Sequence, residues 1–164
     1  MVKQRQQSKQ SRSHYTPVII IAILLIGGGL TLLFFSPGFG QAQPITINGQ
    51  SITDDQLALG ETVYETNCAA CHGIEGEGQP NWKIPDQNGV LPAPPHDSTG
   101  HTWHHADEQL LGIIANGGSM PDSAMPGYQH ILSDEEMVAV LGYIKTFWGM
   151  QEYDFQQQVT HNSN

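Results

Sequence analysis

Two cysteines stand three positions apart in this 164-residue chain, in Cys68-Ala69-Ala70-Cys71-His72, and a histidine follows the second directly. The chain has no third cysteine, so whatever these thiols do they do as one local unit. C-x-x-C-H is the spacing at which two thiols add to the two vinyl groups of a porphyrin. The next side chain then lies under the metal, where an imidazole serves as proximal ligand of a haem iron. Three other readings compete. A thioredoxin-like dithiol needs a βαβ context, and none is visible here. Half a zinc site would draw on His101 and His105, but their finger-like H-x3-H pair lies about thirty residues on, roughly twice the usual gap. A disulfide closed over two residues would be strained.

Export bears on the choice, and the charge pattern speaks to it. Lys3, Arg5, Lys9 and Arg12 precede residue 18 with no acid among them. All sixteen acids follow residue 53, accompanied only by Lys83 and Lys145, which gives the distal part a formal charge of −14. Between the two lies the uncharged stretch 18–35, Val-Ile-Ile-Ile-Ala-Ile-Leu-Leu-Ile-Gly-Gly-Gly-Leu-Thr-Leu-Leu-Phe-Phe. As a helix it is about 27 Å long, enough for a bilayer's hydrocarbon core. Apolar residues run all round it, which argues against a buried core helix. The basic stretch 1–17 is expected to stay cytoplasmic, sending everything after residue 35 across the membrane. The rival is a secretory signal cleaved after Ala42, since Gly40-Gln41-Ala42 offers small residues where a peptidase reads them. Both readings export the cysteine pair to the side on which haem is covalently attached. A domain this acidic excludes nucleic acid as a partner and calls for a basic docking surface.

Residues 36–52 read as a flexible linker rich in Gly, Pro and Gln, reaching roughly 55 Å if fully extended. Within it, 45–52 alternates around Asn48-Gly49 and suits a small hairpin. Thr53-Asp54-Asp55-Gln56 has the form of a capping box, opening a helix to about Asn67 with Leu57, Gly60, Val63 and Tyr64 on its packed face. Gly60 costs that helix about 1 kcal/mol relative to Ala, which implies a close crossing with another helix. From Gly73 to about His105, Pro80, Pro85, Pro92, Pro94 and Pro95 rule out regular structure over most of the length. So long a loop is admissible if it wraps a large flat cofactor, with Trp82, Ile84, Val90 and Leu91 as candidate contacts. His96, His101, His104 and His105 offer three roles: a second metal site for copper or zinc, a distal iron ligand, or hydrogen bonds with Trp103 to the haem propionates.

Asp107 to Asn116 reads as a second helix with Leu110, Ile113 and Ile114 on one face, ended by Gly117-Gly118. Two Met-Pro pairs follow, Met120-Pro121 and Met125-Pro126. A thioether is a soft sixth ligand for haem iron that raises its potential, and the proline stiffens the loop that holds it. Ser133-Asp134-Glu135-Glu136 is a second capping box. Its helix runs to about Trp148, with Met137, Val140, Leu141 and Ile144 at helical spacing. The polar, Gln-rich tail 151–164 is expected to be loosely held.

In this order the motifs resemble a class I c-type cytochrome over about three-fifths of the chain: Cys68-Ala69-Ala70-Cys71-His72-Gly73, then Ile114-Ala115-Asn116-Gly117, Met125-Pro126-Gly127-Tyr128 and Leu132-Ser133-Asp134-Glu135-Glu136. The resemblance implies an all-α fold, a small helical domain over 53–150 wrapped around one covalent haem c. In that fold the first and last helices cross, near Gly60 and Tyr64 against Leu141 and Tyr143. It also implies Cys68 and Cys71 as thioether anchors and His72 and Met125 as axial ligands of the iron, with Met120 the alternative distal ligand. The function expected is that of an electron carrier, not an enzyme, anchored by a single span with its haem domain extracytoplasmic. Two alternatives are an electron-entry subunit of a membrane oxidase or dehydrogenase, and a metal-handling or sensing protein that uses the His-rich loop. A peroxidase would need an open iron position and a distal acid–base pair, which the sequence does not offer.

Overall fold

The computed structural model describes residues 43–118, 120–121 and 123–163. The apolar stretch 18–35 lies outside them. Among the described residues no helix is long and apolar enough to cross a membrane.

A short antiparallel hairpin, β1 (Thr46–Ile47) and β2 (Gln50–Ser51), turns at Asn48-Gly49, both with positive φ. Ile47 is buried in the core, so the flexible linker expected over 36–52 does not extend through its last residues. A two-residue ladder is marginal alone, and this one persists because it is packed and hydrogen-bonded to the domain. Helix α1 (Asp54–Asn67) starts where Thr53 accepts from the Gln56 N–H and Gln56 reaches back to Thr53, the reciprocal cap read from the sequence. One further turn, α2 (Ala69–His72), carries the cysteine pair. The segment to residue 105 is irregular apart from a 3-10 turn at Thr102–His104. Then come α3 (Asp107–Asn116) and α4 (Asp134–Ile144), the latter capped by Ser133 and Glu136 and continued by a 3-10 turn at Lys145–Phe147.

Helices α1 and α4 pack face to face, and the crossing point is Gly60. A methyl group there would land on the carbonyl oxygen of Ala139 and against Tyr143 Cβ. The partner of Gly60 is therefore Ala139 with Tyr143, and Leu141 is buried elsewhere in the core. Tyr64, fully buried, packs its ring on Tyr143 and Phe147 at 5.5 and 5.3 Å. Leu110, Ile114, Met137, Val140, Ile144 and Trp148 complete one apolar core.

The tail departs most from expectation. Met150–Ser163 is a fifth helix, α5, and it is held in place by polar groups. Gln156 and Thr160 are buried beside an ion pair between Asp107 and Lys145, 2.6 Å apart with both side chains 0% exposed. The Lys145 ammonium also donates to the Thr46 carbonyl at 2.8 Å and to Gln156 Oε1 at 3.0 Å, so all three of its protons are placed. Asp107 accepts from the Asn48 N–H at 2.8 Å and from Gln156 Nε2 at 2.7 Å. Such saturation offsets the cost of burying the charges. Tyr153 adds its hydroxyl as acceptor for the Thr46 N–H and donor to the Pro44 carbonyl. The tail has no apolar stripe to announce a helix. Its anchors include the Gln156 and Gln157 amides and the Tyr153 and Thr160 hydroxyls.

Candidate functional site

The turn that ends α1 gathers the three residues of the signature. His72 N–H and Cys71 N–H both bond back to the Cys68 carbonyl, at 2.9 and 3.1 Å, so Cys68 and Cys71 share one helical face at i, i+3 spacing. Neither cysteine is disulfide-bonded. Cys71 is exposed and Cys68 half-buried. Burial, and then neighbouring Cys71, push the Cys68 thiol up to about 11, so that it is protonated at neutral pH.

His72 is 7% exposed. Its Nδ1 donates to the Pro94 carbonyl at 2.9 Å, because a carbonyl can only accept. That bond fixes the tautomer and leaves Nε2 with its lone pair free, the state an imidazole needs in order to ligate a metal. Burial holds His72 below its ordinary pKa, with the Pro94 carbonyl acting in the opposite direction. The proline loop is brought to this position by Gly78 (φ +68°). A side chain there would run into the backbone of Pro94 and Pro95. Gly78 N–H also bonds to the His72 carbonyl at 2.7 Å, and Tyr64 Oη to the Gly73 carbonyl at 2.8 Å.

The two methionines part company. Met120 is 62% exposed, whereas Met125 is half-buried and packed against the core. The loop around Met125 is strapped to the end of α3: Gly118 N–H bonds to the Met125 carbonyl, Tyr128 N–H to Ile114 and Gln129 N–H to Ala115. Tyr128 Oη then donates to the Asn67 carbonyl at 2.8 Å, one residue before Cys68. The Met125 loop and the cysteine turn are thereby referenced to one another.

The four histidines of the proline loop do not gather at one point, although His101 and His105 meet edge to face with ring centroids 5.5 Å apart. His96 lies flat on His72, ring centroids 3.9 Å apart and planes 19° apart. Rings so placed cannot flank an iron from opposite sides, so His96 is no distal ligand. His101 stacks on Trp82 at 5.6 Å, and His104 packs on Trp103 at 3.8 Å. Among the described residues no three His, Cys, Asp or Glu side chains come together as a metal site. Ile84, a candidate cofactor contact, is 63% exposed. Trp103 Nε1 is buried without a partner, an unmet donor of the kind a carboxylate such as a porphyrin propionate satisfies. A paired thiol turn, a buried imidazole with one lone pair free and this orphaned donor together fit a covalent haem. Sequence reasoning missed the Pro94 carbonyl, the Tyr128 strap and the His96 stack. Backbone acceptors leave no mark in a sequence, and only the Pro94-Pro95-His96 run hinted at a shaped loop.

The family model for cytochrome c matches residues 57–148, from within α1 to the end of the core. The chain belongs to the cytochrome c family. The cytochrome c domain, with its C-x-x-C-H turn, implies a covalently bound haem c. It is similar to the cytochrome c subunit of the quinone alcohol dehydrogenase of Gluconobacter oxydans, 33% identical over 97 residues, which are 55% of this chain and 18% of that one. It is also similar to subunit CcoP of the cbb3-type cytochrome c oxidase of an Azospirillum species, 28% identical over 64% of this chain and 33% of the relative. Cytochrome c-551 of Bacillus subtilis is 26% identical over 62% of this chain and 79% of its own length. The chain thus spans about a fifth to a third of the dehydrogenase and oxidase subunits, and most of the small cytochrome.

Proposed function

We propose that this cytochrome c domain carries single electrons through one haem c, held by thioether bonds from Cys68 and Cys71 and ligated by His72 and Met125. The observation that carries the reading is the buried His72, oriented through Nδ1 by the Pro94 carbonyl on the turn that presents both thiols. When bound, the haem supplies the one-electron couple. Cys68 and Cys71 would attach it, the Pro94 carbonyl would keep the His72 imidazole oriented toward it, and Met125 would offer it a thioether. Met125 is preferred to Met120 because a ligand has to reach inward, and Met120 points to solvent.

The basic stretch 1–17 and the apolar stretch 18–35 support a single-span anchor with the domain extracytoplasmic. The acidic surface supports a partner with a basic docking face and faster association at low ionic strength. A second reading, an electron-entry subunit of a membrane dehydrogenase or oxidase, is favoured by the partial similarity to cytochrome subunits of a quinone alcohol dehydrogenase and a cbb3-type oxidase. Purification of the full chain in mild detergent separates the two, according to whether it arrives alone or with an integral-membrane partner. The primary test is intact mass with protein-film voltammetry. A mass increase of one haem that survives denaturation, and a reversible one-electron wave, are expected. A haem released by acidified organic solvent would overturn the attachment.

A further inference from the structure

His96 has no place in the ligand set proposed above, yet it is the most deeply set of the loop histidines, 8% exposed. Its backbone is pinned on both sides. Its N–H donates to the Gly76 carbonyl at 2.7 Å, and its carbonyl accepts from Trp148 Nε1 at 2.7 Å. The side chain is delivered flat onto His72, with the Tyr64 ring tilted against it at 5.9 Å. An aliphatic residue would fill this space more cheaply, because His96 Nδ1 is buried without a hydrogen-bond partner. A buried polar atom left unpaired is costly, so it needs a reason. What an aliphatic side chain lacks is a flat face.

The hydrogen bond to Pro94 ties only one edge of the His72 ring. A ring held at that edge can still rock, and a parallel face at stacking distance removes the freedom. We propose that His96 is a positioning residue whose stacked ring fixes the plane in which the His72 imidazole meets the haem iron. The inference rests on the reading of His72 as axial ligand. The plane of an axial imidazole sets the overlap of its π system with the iron d orbitals. It is therefore read by the order of the haem-methyl shifts in the ferric protein and by the anisotropy of its electron paramagnetic resonance.

The test compares the intact holoprotein with His96→Phe, which keeps a flat ring and discards both nitrogens, and His96→Leu, which fills space without one. His96→Phe should keep the wild-type order of methyl shifts, and His96→Leu should reorder them and change the g anisotropy. A His96→Leu pattern superimposable on wild type overturns the proposal, as does a reordering shared equally by both variants. Should neither variant fold, the ferrous wild type decides. Cross-relaxation between ring protons of His72 and His96 is expected, and its absence overturns the stack. If the His72 ring protons show no iron-dependent shift in the ferric protein, the axial reading falls and this inference with it. Shifted His72 protons with an unaltered His96→Leu pattern sink the inference alone.

Discussion

At the scale of single residues, the site works by keeping two imidazoles neutral in a dry place. Burial first lowers the pKa of His72 and takes that of His96 well below its ordinary value, with His72 adding to the latter. In the holoprotein the iron would occupy the His72 lone pair, so the ring that titrates freely is His96: as pH falls through about 6.5 the unfolded chain protonates it and the folded one does not. The stability linked to His96 is full above that value and is lost as pH falls toward the folded pKa, by up to about 1.4 kcal/mol per unit. The urea midpoint of the holoprotein should therefore drop between pH 7 and pH 5. A flat midpoint over that window would mean that the His96 ring is not buried as described. The exposed carboxylates Asp86 and Glu136, held down by local hydrogen bonds, act only in a more acidic range.

Among the elements, the ones with local signals were legible in advance. Both capping boxes form as written, α1 and α3 take the expected spans, and Gly60 marks the helix crossing. Of the two crossing partners expected, Tyr143 stands at the contact, and Ala139 takes the place expected of Leu141. Periodicity names the apolar face of α4 but does not say which backbone carbonyl a glycine will touch. The C-terminal helix was illegible because its anchors are Tyr153, Gln156 and Thr160, whose role depends on Thr46, Asp107 and Lys145 far off in sequence. Cys68, Cys71, His72 and Met125 could be named from the sequence as candidates, whereas the groups that hold them, mostly backbone carbonyls and N–H groups, could not. Gly60→Ala tests the crossing. Overpacking against a backbone carbonyl costs about 3 kcal/mol and the gain in helix propensity returns about 1, leaving a net loss of about 2 kcal/mol. Equilibrium unfolding in urea reads this, and a net stabilisation would show that α1 and α4 are further apart than they stand here.

For the molecule as a whole, the buried Asp107–Lys145 pair joins the hairpin, α3, the end of α4 and α5 around one point. Residues outside the span of the family model thus close over residues within it. Burial pulls the pKa of Lys145 down while Asp107 pulls it up, a balance that holds only while both partners are present. Lys145→Met strands a buried carboxylate and should cost about 3–5 kcal/mol. Pairing it with Asp107→Asn should restore at least half of that, because the amide keeps hydrogen-bonding capacity without the charge. A double-mutant cycle of urea unfolding measures the coupling, and strictly additive losses would mean the pair is not an interacting unit.

The turn that carries Cys68, Cys71 and His72 supplies one proposed ligand of the iron, and one comparison decides whether Met125 supplies the other. The optical and electron paramagnetic resonance spectra of the ferric full chain should be recorded for wild type, Met125→Ala and Met120→Ala. Wild type and Met120→Ala should show the same low-spin signature with a sulfur-to-iron charge-transfer band, and Met125→Ala should lose that band. A Met125→Ala protein that keeps it would contradict the His72–Met125 pair.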